Sequence, residues 1–90
     1  MQRAVITVLG NDQPGIIYHV TQVLYQCNVN IQDISQTILQ EVFSMVMIVD
    51  ITNCNVPFDN LVDELEKVGE KLHMTIHTQH EDIFNSMHKI

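Results

Sequence analysis

Basic side chains are scarce in this sequence, in which four Lys+Arg stand against eleven Asp+Glu and give a formal net charge of −7 at pH 7. A surface with such an excess of carboxylates repels other polyanions, and the chain has no basic stripe that could hold phosphates. Direct nucleic-acid binding and electrostatic docking to an anionic membrane are therefore disfavoured as functions.

Long apolar runs are also missing from the chain. The longest runs, such as Val46-Met47-Ile48-Val49, are far shorter than the roughly 20 residues that are needed to span a bilayer. The N-terminus does not have the pattern of a signal peptide. We therefore expect no membrane partner and a cytoplasmic location.

Cysteine is limited to Cys27 and Cys54, without a Cys-x-x-Cys spacing. This pattern predicts neither a disulfide framework nor a zinc ribbon, and a reduced, buried Cys27 is the simpler interpretation.

The histidine spacing does not suit one metal ion, because His73 and His77 on one strand would lie about 13 Å apart. No serine lies in a nucleophile motif and no carboxylate pair stands out. We expect no enzyme, no metal and no cofactor.

The chain has the length and composition of one small globular domain, which we assign to residues 1–90. Hydrophobic residues make up 46% of the sequence, and a chain of this size buries roughly 60–65% of its unfolded surface. That amount of burial supports one core layer.

Apolar periodicity and turn residues divide the chain into seven elements. β-branched residues before Gly10 indicate a strand, Pro14 and Pro57 stand at positions typical of the first helical residue, and Gln40-Glu41 separates the strands of a hairpin. The helical stripes are Ile16, Val20, Val23, Leu24 and Cys27, and then Phe58, Leu61, Val62, Leu65, Val68 and Leu72. The elements, in order, are strand 3–9, helix 14–27, strands 31–39 and 42–51, helix 57–72, strand 73–79 and a short C-terminal helix 81–88.

This order is β-α-β-β-α-β, which predicts an α+β sandwich with both helices on one face of a four-stranded antiparallel sheet. A short C-terminal segment follows, and we expect its apolar residues to point inward. These residues are Ile83, Phe84 and Met87.

The predicted strand 42–51 is apolar on both faces, which implies that something covers the second face of the sheet. A partner subunit is the economical cover, and the C-terminal segment is the alternative. The predicted strand 31–39 carries only Asp33 as a charge and is poorly protected against pairing with another chain. Together these features predict a homodimer.

The loop from Gly10 to Ile16 delivers a strand directly into a helix. The first turn of a helix offers unpaired N–H groups, and Gly15 has no side chain to keep a ligand from the backbone. Asn11 and Asp12 add acceptors beside this anion site, so an amino-acid zwitterion suits it better than a phosphate does. The alternative is structural: Asp12 or Gln13 caps the helix and Gly15 permits tight packing.

Two stretches of the sequence resemble the ACT domain family, in particular one half of the glycine-cleavage-system repressor-like proteins. They are Val5-Ile6-Thr7-Val8-Leu9-Gly10-Asn11-Asp12-Gln13-Pro14-Gly15-Ile16 and Cys27-Asn28-Val29-Asn30-Ile31-Gln32-Asp33. The resemblance implies a ferredoxin-like βαββαβ fold, association in pairs, and an amino-acid effector at the interface. The chain departs from many members by having Gln13 in place of an arginine.

By this resemblance and the loop chemistry, we expect one group of residues to bind the effector. The candidates are Asn11, Asp12, Pro14, Gly15, Ile16, Asn30 and Ile31. Residues 14 and 28 lie about 20 Å apart along one helix, so a small ligand would need the two ends from different subunits or a long reach within one chain. The predicted function is a regulatory sensing domain that modulates a partner protein in amino-acid metabolism. A ligand-free protein-interaction module is the alternative.

Overall fold

The computed structural model describes residues 1–87, in which three helices accompany one four-stranded sheet. The expected β-α-β-β-α-β order is confirmed, with the strands arranged β2-β3-β1-β4 and every neighbouring pair antiparallel. The elements are β1 (Arg3–Asn11), α1 (Ile16–Gln26), β2 (Asn30–Leu39), β3 (Val42–Asp50), α2 (Phe58–Leu72), β4 (Thr75–His80) and α3 (Glu81–Met87).

The core lies between the sheet and the pair α1 and α2. Both predicted helical stripes point into it: the first stripe is fully buried, and in the second only Phe58 and Val62 are half-buried. The sheet contributes alternate residues of its two central strands, which are Ala4, Ile6 and Val8 from β1 and Phe43, Met45, Met47 and Val49 from β3. Burial of these apolar surfaces is the main source of stability for the fold.

Both core helices end in a left-handed residue that is not glycine. Asn28 follows α1 with φ 58°, and His73 follows α2 with φ 56°. Val29 N–H then donates to the Leu24 carbonyl at 2.8 Å, which closes the helix in a Schellman motif. His73 was predicted to begin the last strand, but this backbone turn places it outside β4, which starts at Thr75.

The first helix begins later than predicted. Pro14 was expected to be its first residue, yet α1 starts at Ile16 because Gly15 has φ 88° and cannot continue a right-handed helix. Pro57 likewise precedes α2 rather than opening it. Pro57 is extended, with φ −57° and ψ 152°, and Pro14 lies in the turn before Gly15, so neither proline belongs to the first helical turn.

Helix α3 covers part of the sheet face opposite to α1 and α2. Val5 is only 3% exposed although it lies on this face, Arg3 pairs with Glu81 at 3.0 Å, and Gln79 Nε2 contacts the Met87 sulfur at 3.3 Å. The C-terminal segment therefore covers part of β1 and β4 on this face, whereas Val42 and Val46 of the predicted strand 42–51, for which it was the alternative cover, remain exposed.

The rest of that face stays open. Val42, Val46 and Leu9 are exposed there. The prediction that Ile83 and Met87 point inward is wrong, since both are exposed and α3 buries no residue fully. This helix of seven residues contacts β1 and the edge strand β4. His88, the predicted end of this helix, lies outside the described residues.

Strand β2 extends beyond the helix layer. Ile34 pairs with Met47 and Ile38 with Phe43, so both isoleucines lie on the helix-facing side of the sheet. They are nevertheless 43% and 48% exposed. The outer strand thus presents apolar side chains together with an unpaired backbone edge. Within residues 1–87, no helix is long and apolar enough to cross a membrane.

Gly69 tests how closely α2 packs on the strand that follows it. A β carbon at this position would stand 2.8 Å from the Met74 backbone oxygen. Helix propensity alone favours Gly69→Ala by about 1 kcal/mol, but we expect a net loss of about 1–3 kcal/mol because the backbone must shift. Urea denaturation measures the difference. Glu70→Ala, on the exposed side of α2, is the matched control, and a stabilised Gly69→Ala variant would contradict the packing argument.

Candidate functional site

The loop between β1 and α1 is anchored beside the hairpin turn that joins β2 to β3. Asp12 N–H donates to the Glu41 carbonyl at 2.8 Å, which continues the pairing of β1 with β3 by one step. The loop therefore starts from a fixed backbone position at the end of the sheet. Its other end enters the core at Ile16, which is buried.

Gly15 is required for its backbone conformation more than for close packing. A β carbon there would contact only the His19 ring, at 3.5 Å and 3.7 Å, which are ordinary distances. Its φ of 88° lies in the region that residues with a β carbon rarely adopt. The structure thus gives no support to the expectation that Gly15 permits tight helix packing, and it leaves the backbone of this turn open to solvent.

The N-terminus of α1 carries no side-chain cap, and its first turn contains no acidic residue. The alternative role of Asp12 or Gln13 as a helix cap is therefore wrong. Within residues 1–87, no hydrogen bond or ion pair engages the side chain of Asn11 or Asp12, and both residues are exposed. The turn consequently presents N–H donors beside an amide and a carboxylate that have no partner in the described chain.

Gln13 has a role that the sequence did not reveal. Its Nε2 donates to the Leu72 carbonyl at 2.8 Å and to the Asn11 carbonyl at 3.3 Å. Leu72 is the last residue of α2, so this side chain ties the candidate loop to the second core helix. From the sequence, Gln13 was a candidate helix cap and a departure from arginine, and a bond across 59 positions leaves no local signal.

Asn30 and Ile31 lie at the opposite end of the molecule. Asn30 pairs with Asp50, whereas the loop adjoins the end of β2 near Leu39. Eight residues of strand separate Leu39 from Ile31, or about 26 Å. One chain therefore does not bring the two halves of the predicted site together, in agreement with the expectation that two subunits would be needed.

The end of the sheet near Asn30 carries a well-ordered acidic group. Hydrogen bonds from the hydroxyl and the backbone N–H of Thr52 lower the pKa of Asp50, with the N–H at 2.9 Å. Asp50 therefore stays ionised at neutral pH. An ionised carboxylate at this end of the sheet would repel the carboxylate of a ligand and attract its ammonium group.

Two cavities of the described chain lie away from this loop. One of about 460 Å³ is between α1 and the start of α2, and one of about 470 Å³ is at the end of α2 beside β4. None of the predicted ligand residues lines either cavity. A site shared between two chains would not appear as an enclosed cavity in one of them. The absence of the candidate residues from these two cavities is therefore compatible with a site that a second chain completes.

Replacement of Gln13 tests the tie between the loop and α2. We expect Gln13→Ala to lower the free energy of unfolding by about 1 kcal/mol, because the half-buried carbonyl of Leu72 loses its donor. Chemical denaturation measures this. Gln22→Ala, an exposed glutamine on α1, is the control and should show no loss. Equal stability of the two variants would show that the Gln13 bond does not constrain the loop.

Comparison with known proteins places this arrangement in a family. The model of the ACT domain matches residues 2–79. A UPF0237 protein of Methanocaldococcus jannaschii is 50% identical over 90 residues and covers 100% of both chains. An ACT domain protein from Streptococcus pneumoniae, of known structure, is 37% identical with a TM-score of 0.78, covering 92% of this chain and 93% of that one.

The resemblance to one half of a repressor is also confirmed at the level of the fold. The crystal structure of a candidate glycine cleavage system transcriptional repressor aligns with a TM-score of 0.72 at 24% identity. The alignment covers 88% of this chain and 45% of that chain, and at this identity it shows the fold alone. With the family model and the close relatives over the full length, the chain belongs to the ACT domain family.

Proposed function

We propose that this protein senses an amino acid, or a close analogue, at the interface of a homodimer and that it thereby modulates a partner protein of amino-acid metabolism in the cytoplasm. ACT domains are regulatory domains that commonly bind small effectors and associate in pairs. The proposal rests above all on the uncapped start of α1 beside the unpartnered side chains of Asn11 and Asp12. No catalytic role is proposed.

The loop chemistry suits a zwitterion. A ligand carboxylate would accept hydrogen bonds from the N–H groups around Gly15 and Ile16, where the helix dipole favours negative charge. The ammonium group would lie near Asp12, and Asn30 of a second copy would contribute its amide. Pro14 and Ile31 would line the site. Each exposed contact of this kind contributes about 0.3–1 kcal/mol, so several must combine and the affinity is modest.

The distribution of charge favours a second copy along one side of the molecule. Helix α1 contains no Asp, Glu, Lys or Arg, and the only charged residue of β2, Asp33, lies on the opposite sheet face. Exposed Tyr18 and Tyr25 lie on α1, and exposed Ile34 and Ile38 lie on β2. A chain with a net charge of −7 repels its own copy least on such a surface.

A ligand held between two copies would act by favouring one dimer geometry, because it can shift an equilibrium only by its differential affinity for the two states. A partner protein would receive this signal. The exposed tyrosines of α1 also favour the second candidate, a ligand-free interaction module, since tyrosine is enriched in protein interfaces.

A screen of the twenty amino acids by thermal shift, followed by calorimetry, tests the sensing function. We expect at least one amino acid to raise the melting temperature, and Asp12→Asn to weaken its binding by about tenfold or more through loss of a charged contact. Glu70→Gln on α2 is the matched control and should bind as the wild type does. No binding by any amino acid would favour the interaction module.

The position of the dimer interface is tested by placing one charge on each candidate surface. Ile34→Glu adds a carboxylate to the helix-facing side of β2, which has no charged residue. Leu9→Glu adds one to the open sheet face, and both side chains are exposed. In sedimentation we expect a dimer of the 10.4 kDa chain that Ile34→Glu weakens at least tenfold and Leu9→Glu leaves intact. The reverse result would move the interface to the open sheet face, and a monomeric wild type would contradict the dimer itself.

A further inference from the structure

The structure brings the two cysteines of the chain to one place, although their sequence spacing predicted no pairing. Cys27 follows the last residue of α1 and is 6% exposed. Cys54 lies in the loop between β3 and α2, where it is half-buried and packs against the core. Cys54 is therefore the more exposed of the two cysteines.

Three hydrogen bonds fasten the two segments to each other on either side of the cysteines. Asn55 N–H donates to the Cys27 carbonyl at 3.0 Å, and its side chain donates to the Gln26 carbonyl at 2.9 Å. The Asn28 side chain donates to the Asn53 carbonyl at 3.0 Å. Residues 26–28 and 53–55, which include the two cysteines, are therefore held next to each other by hydrogen bonds.

The first of these bonds limits the separation of the cysteine α carbons. Standard backbone dimensions leave them at most about 8 Å apart, and an ordinary bend at the carbonyl oxygen brings them to about 6 Å. Disulfides join residues whose α carbons lie about 4.4–6.8 Å apart. The separation of about 6 Å falls within this range.

Burial and neighbouring groups give the two thiols different chemical roles. Burial raises the pKa of Cys27, and the nearby Cys54 and Glu64 raise it further. The buried thiol therefore stays protonated at neutral pH. Cys54, which is accessible and adjacent, is the sulfur that a dissolved oxidant meets first.

We propose that Cys27 and Cys54 form a dithiol site that hydrogen peroxide oxidises to an intrachain disulfide. The Cys54 thiolate attacks one peroxide oxygen, so that an S–O bond forms, the O–O bond breaks and hydroxide leaves. Cys27 then attacks the Cys54 sulfur, its proton passes to the departing oxygen, and water is released. The two thiols lose two electrons to one peroxide, and a dithiol reductant reverses the reaction by exchange.

The disulfide would link the end of α1 to the loop that precedes α2. The loop of chain closed by this bond would contain β2 and β3. Asn30 follows Cys27 by three residues, so the link would restrain the start of the strand that the proposed dimer uses. This inference does not rest on the proposed sensing function, because the chemistry of the pair requires neither a ligand nor a second copy.

Peroxide treatment of the dilute, purified protein tests the proposal by intact mass under denaturing conditions. We expect the loss of two hydrogen masses and of both titratable thiols, with full reversal by dithiothreitol. The chain has only these two cysteines, so a monomeric product with that mass identifies the bond.

Cys54→Ser is the decisive variant, since its side chain is half-buried and the change is small. We expect no loss of hydrogen mass from it, and we expect Cys27→Ala to accumulate a sulfenic acid that dimedone traps on Cys54. The proposal is overturned if the oxidised wild type only gains oxygen, if both thiols survive, or if the product is a disulfide-linked dimer on a non-reducing gel.

Discussion

The burial of one face of the sheet beneath α1 and α2 determines the rest of this structure. Met47 and Ile6 at the centre of the sheet are fully buried, and Leu61 of α2 is buried with them. Ile31, at the start of the outer strand, packs against this core. Farther along β2, Ile34 and Ile38 continue the same face of the sheet but remain exposed.

The same burial explains why the candidate loop is both fixed and open. Ile16 must enter the core, and the loop must turn sharply to place it there directly after β1. A left-handed Gly15 makes this turn, and Gln13 joins the turn to the end of α2. The backbone is thereby held in place while its first-turn N–H groups point away from the core. A preorganised set of donors of this kind binds a ligand without the cost of ordering a flexible loop.

Most of the fold and part of the site could be predicted from the sequence. Helical and strand periodicities depend on residues that are close in the chain, and they identified the buried helical stripes and the order of the elements along the chain correctly. The φ of Gly15, the bond from Gln13 to Leu72 and the meeting of Cys27 with Cys54 depend on the packed structure and leave no local pattern. The exposure of Ile83 and Met87 was missed because seven residues are too few to show which side of a short helix faces the sheet.

The two core helices differ in the charge on their outward sides, and this difference bears on how the chain is expected to assemble. The outward side of α2 carries Glu64, Glu66, Lys67 and Glu70, which keep it hydrated, whereas α1 has no such charge. Both helices meet the same core, so burial within the chain does not account for the difference. Desolvating an unpaired carboxylate is costly, and a surface without charges avoids this cost when another protein covers it. We propose that the absence of charge on α1 and on the helix-facing side of β2 favours intermolecular contact at these surfaces over contact at α2.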